Sequence, residues 1–193
     1  MPRPLLSASL CGLFLAGCTA APAPNFLVSA DYLQGLDTEL NPDSGPTLDS
    51  DRSGWSVTYE VVPTSRNSNV AFSFLSRKDD LPGKGNPSID TDVLRTQTRW
   101  HYLLTQNIHW YLASGLGWAV SNDLNGSRFK GMDFNGGLYY DFELGVRWQP
   151  GKQKWGVEGA VNYSRLSLGS NNKRTADSTL SGYIASFGVF IDF

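Results

Sequence analysis

The feature that most constrains this chain is a two-residue alternation of apolar and polar side chains that keeps returning up to the last residue, Phe193. Trp55, Val57, Tyr59 and Val61 alternate with Ser56, Thr58 and Glu60, and Val70, Phe72 and Phe74 with Ala71, Ser73 and Leu75. Trp100, Tyr102 and Leu104 are set against Arg95, Gln97, Arg99 and His101. Ile108, Trp110, Leu112, Leu116, Trp118 and Val120 oppose His109, Tyr111, Ala113, Gly115, Gly117 and Ala119. Leu138 to Trp148, Trp155 to Tyr163 and Tyr183 to Phe193 repeat the pattern. A period of two is the repeat of a strand. With a first strand near Phe26–Gly35, ambiguous in register, about eight strands are predicted.

The segments between them alternate in length. Leu36–Ser53, Arg77–Asp92, Ser121–Asp133 and Gly169–Ser178 read as long connections, the second of them through Asp79-Asp80-Leu81-Pro82-Gly83. Pro63–Ser68, Thr105–Asn107 and Gln149–Gln153 read as short ones. Short turns at one end and longer loops at the other are the habit of antiparallel up-and-down barrels that cross a membrane. The predicted fold is therefore all-β, a transmembrane barrel of about eight strands spanning 26–193.

The faces support that reading. All six Trp lie on the apolar face: Trp100, Trp110, Trp148 and Trp155, with Phe193, toward the short-turn rim, and Trp55 and Trp118 toward the other. Two aromatic girdles around an aliphatic belt suit a bilayer. The opposite face carries Gly115, Gly117, Gly145, Gly156, Gly188, Ala113, Ala119 and Ala160, sizes that fit the narrow lumen of an eight-stranded barrel. Every Lys is expected in a connection. A soluble barrel with a greasy interior would instead put long polar side chains on the second face. Mean hydropathy is below zero, which alternating strands allow.

Both cysteines fall in the first 18 residues, and net charge is -2, so no basic field invites nucleic acid. A basic start at Arg3 and an apolar run Leu5–Leu15 read as a signal peptide, 1–17. Leu15-Ala16-Gly17-Cys18 resembles the lipobox of bacterial lipoproteins, which implies lipidation at Cys18 and a short linker, 18–25. Ordinary cleavage within Cys18–Ala23 is the alternative.

The predicted lumen also carries charge: Glu60, Arg95, Arg99, Asp141, Glu143, Arg147 and Glu158, with His101, Asp192 and Asp31. Mixed signs in a tight space read as an ion-pair network that fills the barrel, and a gated ion path is the functional alternative. Asp79-Asp80 and Asp49-Ser50-Asp51 lack the ligand count of a calcium loop and read as solvated loop charge. Gly115–Gly117 is followed by no helix and is no nucleotide fingerprint. No cofactor or metal is implied.

The mature chain resembles the small eight-stranded outer-membrane barrels, the superfamily of the OmpA transmembrane domain, OmpX and the opacity-type porin-like proteins. The alternating run Tyr183–Phe193 with its aromatic last residue carries the resemblance. It implies an integral place in the Gram-negative outer membrane, contact with outer-membrane lipid and lipopolysaccharide, delivery by the assembly machinery through the last strand, and a monomer. The implied role is structural or surface-interacting through long outer loops, where Arg128, Lys130, Lys173 and Arg174 could meet lipid A phosphates. Asn162-Tyr163-Ser164 resembles the His-x-Ser pair of the lipid A deacylases, but Asn162 stands where that family has its base. An enzyme of that type, or a narrow pore, is the alternative function.

Overall fold

The computed structural model describes residues 25–43, 45–62, 68–126, 134–170 and 177–193, with only the backbone of Asn135 and Ser170. The described strands are β1 (Asn25–Pro42), β2 (Leu48–Val62), β3 (Ser68–Asp80), β4 (Ser88–Thr105), β5 (Ile108–Asn125), β6 (Phe134–Trp148), β7 (Trp155–Ser170) and β8 (Ser178–Asp192). Each pairs antiparallel with its sequence neighbours, and β8 returns to β1, closing the barrel. The N–H of Phe193 donates to Phe26 O at 2.8 Å, so the closing ladder runs to the chain's last residue. Closure removes the edges that an open sheet would expose.

The short-turn end follows the sequence. Only Gln106 and Asn107 separate β4 from β5, and Thr105 Oγ1 accepts from the N–H groups of Asn107 (3.3 Å) and Ile108 (3.1 Å). The turn after β6 folds at Gly151, with φ of 58°, and Gln149 Nε2 donates to Gln153 O at 2.5 Å.

The other end departs from it. Most residues of the first two predicted long loops, Leu36–Ser53 and Arg77–Asp92, are strand. β1 and β2 run on to Pro42 and Leu48, leaving 43–47 as the connection, and β3 and β4 are joined by 81–87. That turn is tight: Gly83, Gly85 and Asn86 take positive φ, and the Leu81 N–H donates to Pro87 O at 2.8 Å. β5 runs on to Asn125, which leaves 126–133 between β5 and β6, and 171–177 lies between β7 and β8. Lys78, expected in a connection, stands on β3 and bonds Asp80 at 2.9 Å.

The physical reason is an inversion of sidedness along each strand. In the lower part of β4, Leu94, Trp100 and Tyr102 face outward while Arg95, Gln97, Arg99 and His101 face the lumen. Above Leu94 the pattern swaps: Asp90 and Asp92 point outward, and Ile89 and Val93 are fully buried. β7 swaps after Ser164, where Arg165 turns outward and Leu166 and Leu168 turn in. β3 follows suit, with Phe72 and Phe74 giving way to Ser76, Lys78 and Asp80 on the outside.

Where the outer wall faces hydrocarbon, apolar side chains belong outside and polar ones are confined to the lumen. Where the strands rise into water, the ordinary rule returns and the apolar side chains go inside. Tyr32, Trp55, Trp118, Tyr163 and Tyr183 face outward near the change-over, and Tyr32 pairs with Trp55 and Tyr163 with Tyr183 across strands.

Inside the upper barrel, Leu33, Leu75, Val93, Tyr139, Leu166, Leu180 and Ile184 form one continuous buried cluster with Leu40, Leu81, Ile89, Ala119, Phe134 and Leu168. Each fully buried Leu or Ile contributes roughly 1.5–3 kcal/mol. The strand extensions are thus held by a core of their own.

Candidate functional site

The lower lumen brings together all seven charged residues singled out from the sequence. Glu60 on β2 is the hub. Its Oε2 accepts from Arg147 Nη2 at 2.7 Å and Arg99 Nη1 at 3.3 Å, and its Oε1 accepts from Asn69 Nδ2 at 2.6 Å. His101 Nε2 lies 2.8 Å from the same Oε1. Arg147 Nε donates to Glu158 Oε2 at 2.5 Å. Arg99 Nη2 reaches Glu143 Oε1 at 3.4 Å, and Arg95 pairs with Asp141 and lies 3.6 Å from Glu143. Gln97 ties the two acids together, donating to Asp141 Oδ2 (3.2 Å) and Glu143 Oε2 (3.4 Å). Asp31 accepts from Ser29 (3.4 Å) and Ser56 (3.3 Å).

Charges taken out of water persist only when each is paired and its remaining hydrogen bonds are filled. Nearly every side chain here is buried below one-tenth exposure. Below the network the lumen opens toward the short turns into a vestibule of about 560 Å³, walled by Asn69, His101, His109, Arg147, Gln149 and Asp192.

Tyr111 holds the centre. Its hydroxyl donates to Glu143 Oε1 at 2.9 Å, and the guanidiniums of Arg99 and Arg147 each lie 5.1 Å from its ring centroid. The cross-strand partner of Tyr111 is Gly145, and a Cβ at Gly145 would collide with the Tyr111 ring. At Gly115 a Cβ would strike the Asp141 carboxylate and Gln97. The lumenal glycines therefore supply the volume that the network occupies. Gly145→Val is expected to cost about 1–3 kcal/mol by overpacking. That cost is expected to fall to a few tenths in a Tyr111→Ala background, as urea unfolding of all four barrels in lipid vesicles would measure.

Three charged residues of the lumen escaped the sequence reading because they sit in segments taken for loops. Arg52, Arg77 and Asp79 all point inward and are buried. Asp79, expected as solvated loop charge, accepts from Arg52 Nε at 2.6 Å and lies 3.6 Å from Arg77 Nε. The alternation could have found them, since Leu75, Arg77 and Asp79 continue the inward register of Ser73.

The residues of the predicted girdles, Trp55, Trp100, Trp110, Trp118, Trp148, Trp155 and Phe193, all stand outward and exposed. Tyr102 stacks on Trp110 with centroids 4.3 Å apart. Cys18, Arg128, Lys130, Lys173 and Arg174 lie outside the described residues. Ser164 is fully buried, and its Oγ lies 3.4 Å from Arg52 Nη1, a donor and not a base. Asn162 is buried beside it on β7, and His101 is engaged by Glu60. This geometry does not assemble the deacylase pair.

A closed, antiparallel eight-stranded barrel has clear counterparts among solved structures. Neisserial surface protein A (NspA) superposes with a TM-score of 0.60 at 10% identity, over 87% of this chain and 97% of that one. The fold is that of the small outer-membrane β-barrels. AlkL, solved in DMPC bilayers, gives a TM-score of 0.55 at 16% identity, over 92% of this chain and 94% of that one. Ail of Yersinia pestis, in complex with the heparin analogue sucrose octasulfate, gives 0.53 at 15% identity, over 89% of this chain and all of that one. No protein-family model and no curated protein sequence matches the chain.

Proposed function

We propose that this chain is an integral outer-membrane protein whose barrel is a closed, non-conducting scaffold presenting a rigid polar rim at the cell surface. The observation that carries this reading is the double filling of the lumen. The ion-pair network built on Glu60, Arg99 and Arg147 occupies the lower half, and the apolar cluster around Leu75, Tyr139 and Ile184 occupies the upper half. An ion would have to displace a paired guanidinium and then cross a layer of packed aliphatic side chains.

The outer belt supports the membrane placement. Leu94, Leu116, Phe142, Leu144, Phe187 and Val189 each expose about half of their surface or more, a continuous apolar wall that water would not tolerate. The last strand, Tyr183 to Phe193, is the segment by which the assembly machinery would take up the chain, and the barrel is complete as a monomer.

Two measurements test the reading. Unboiled protein from outer-membrane fractions is expected to run faster on a gel than boiled protein, and an unchanged mobility would remove the barrel from the membrane. In planar bilayers no steady single-channel current is expected. Steady currents that disappear in Arg95→Ala or Glu143→Ala would replace the scaffold by an ion path.

The partner of the rim is outer-membrane lipid, lipopolysaccharide above all, met through Arg128, Lys130, Lys173 and Arg174 in the connections. Among the described rim residues, Asp37, Asp43, Asp49, Asp51 and Asp123 face outward and exposed. Lipid A phosphates would therefore be met at those four basic positions and not along this acidic part of the rim.

A further inference from the structure

The upper lumen contains a charged group to which the barrel wall gives a ring face, Tyr139 at 5.8 Å, and a distant carboxylate, but no hydrogen bond among the described residues. Arg77 is buried, with its side chain 1% exposed, yet Nε, Nη1 and Nη2 all find no hydrogen-bond partner among the described residues. Its carboxylate neighbour, Asp79 Oδ2, stands off at 3.6 Å. Arg52, the second guanidinium on Asp79, leaves its Nη2 without a partner as well.

Three of the orphaned side chains lie on one row, with Arg52 one row nearer the rim, opposite Asp79. Arg77 on β3 is registered with Thr91 on β4, and Thr91 with Asn122 on β5. Thr91 Oγ1 and Asn122 Oδ1 are likewise buried and without partners among the described residues. The rows on either side are apolar on at least one strand: Leu75 with Val93 toward the belt, and Ile89 opposite Asp79 toward the rim.

An unpaired buried donor costs the full desolvation of that group, and the cost rises when the group is charged. Here several guanidinium donors share the local field of two cations and one carboxylate, so the balance is one positive charge in excess. A water molecule could accept a hydrogen bond but would leave that charge in place. A small anion does both.

We propose that Arg77, with Arg52 and Thr91, holds a monovalent anion of halide size inside the upper lumen. The Thr91 hydroxyl donates to it, and the Asn122 amide can present its NH₂ instead of its oxygen, since the two are set by the hydrogen-bond network. The anion then joins β3, β4 and β5 at the level where the wall leaves the membrane.

Bromide is the probe. Crystals of the wild-type barrel grown in sodium bromide are expected to show an anomalous peak within hydrogen-bond reach of the Arg77 guanidinium. In solution, the temperature at which the fast-running gel form is lost is expected to be higher in sodium bromide than in sodium gluconate of equal ionic strength. The difference should be on the order of a few °C at saturation, and it should vanish in Arg77→Met and shrink in Thr91→Val. Absence of the anomalous peak, with water density at the guanidinium, overturns the proposal even if neither variant folds. Equal midpoints of the wild-type protein in the two salts overturn it too.

Discussion

Glu60→Ala is expected to destabilise the barrel by about 3–5 kcal/mol, because it strips the common acceptor from two buried guanidiniums at once. Arg147 would keep Glu158 at 2.5 Å, but Arg99 would retain carboxylates only at longer range, Glu143 (3.4 Å) and Glu158 (4.0 Å), beside its neutral acceptor Gln97 Oε1 (3.1 and 3.3 Å). Asn69 and His101 would lose their shared partner as well. Urea unfolding in lipid vesicles, followed by Trp fluorescence, measures the loss. Glu60→Gln keeps an acceptor at nearly the same volume and is expected to cost less. If alanine and glutamine were both neutral, Glu60 would not be the hub.

The second large effect belongs to the outer wall. Leu144 lies in the lower half of β6, half exposed on the belt, between outward-facing Phe142 and Val146. Leu144→Arg is expected to cost about 2–4 kcal/mol, the range for a cation placed at the lipid midplane of a barrel. The same change on the rim provides the control: Ser167→Arg, outward on β7 above the inversion, is expected to be within about 0.5 kcal/mol of neutral. Equal costs at both positions would mean that the wall does not sit in lipid at Leu144. The comparison uses one substituent and differs only in height along the wall.

Much of the barrel could be read from the chain because hydrocarbon imposes a strict alternation on whatever crosses it. Trp110, Leu112 and Leu116 against Tyr111, Ala113 and Gly115 leave no other face assignment, and the network residues follow from their parity. The upper third was misread for the same reason. A single rule, apolar outside, was carried past the height at which the outside becomes water. Above that height Asp90 and Asp92 look like loop, and Arg77 and Asp79 look like surface charge, although all four hold strict strand register. Parity persists through the inversion; polarity does not. The pairing of Arg52 with Asp79 depends on closing β2 against β3 above the belt, which no local pattern in either strand announces.

The hydrogen-bonded extensions above the belt limit how such a surface can change over time. A loop tolerates added or deleted residues one at a time, but a ladder does not: one extra residue in β3 or β4 would send Arg77 or Ile89 outside and Lys78 or Asp90 into the core. Variation at this rim should therefore come as substitutions at outward positions, or as length changes in steps of two, with single-residue indels restricted to the turns and to the existing register shifts at Gly35–Asp37, Asp92–Val93 and Asn135–Gly137. Any peptide grafted there for display inherits the same even-numbered rule.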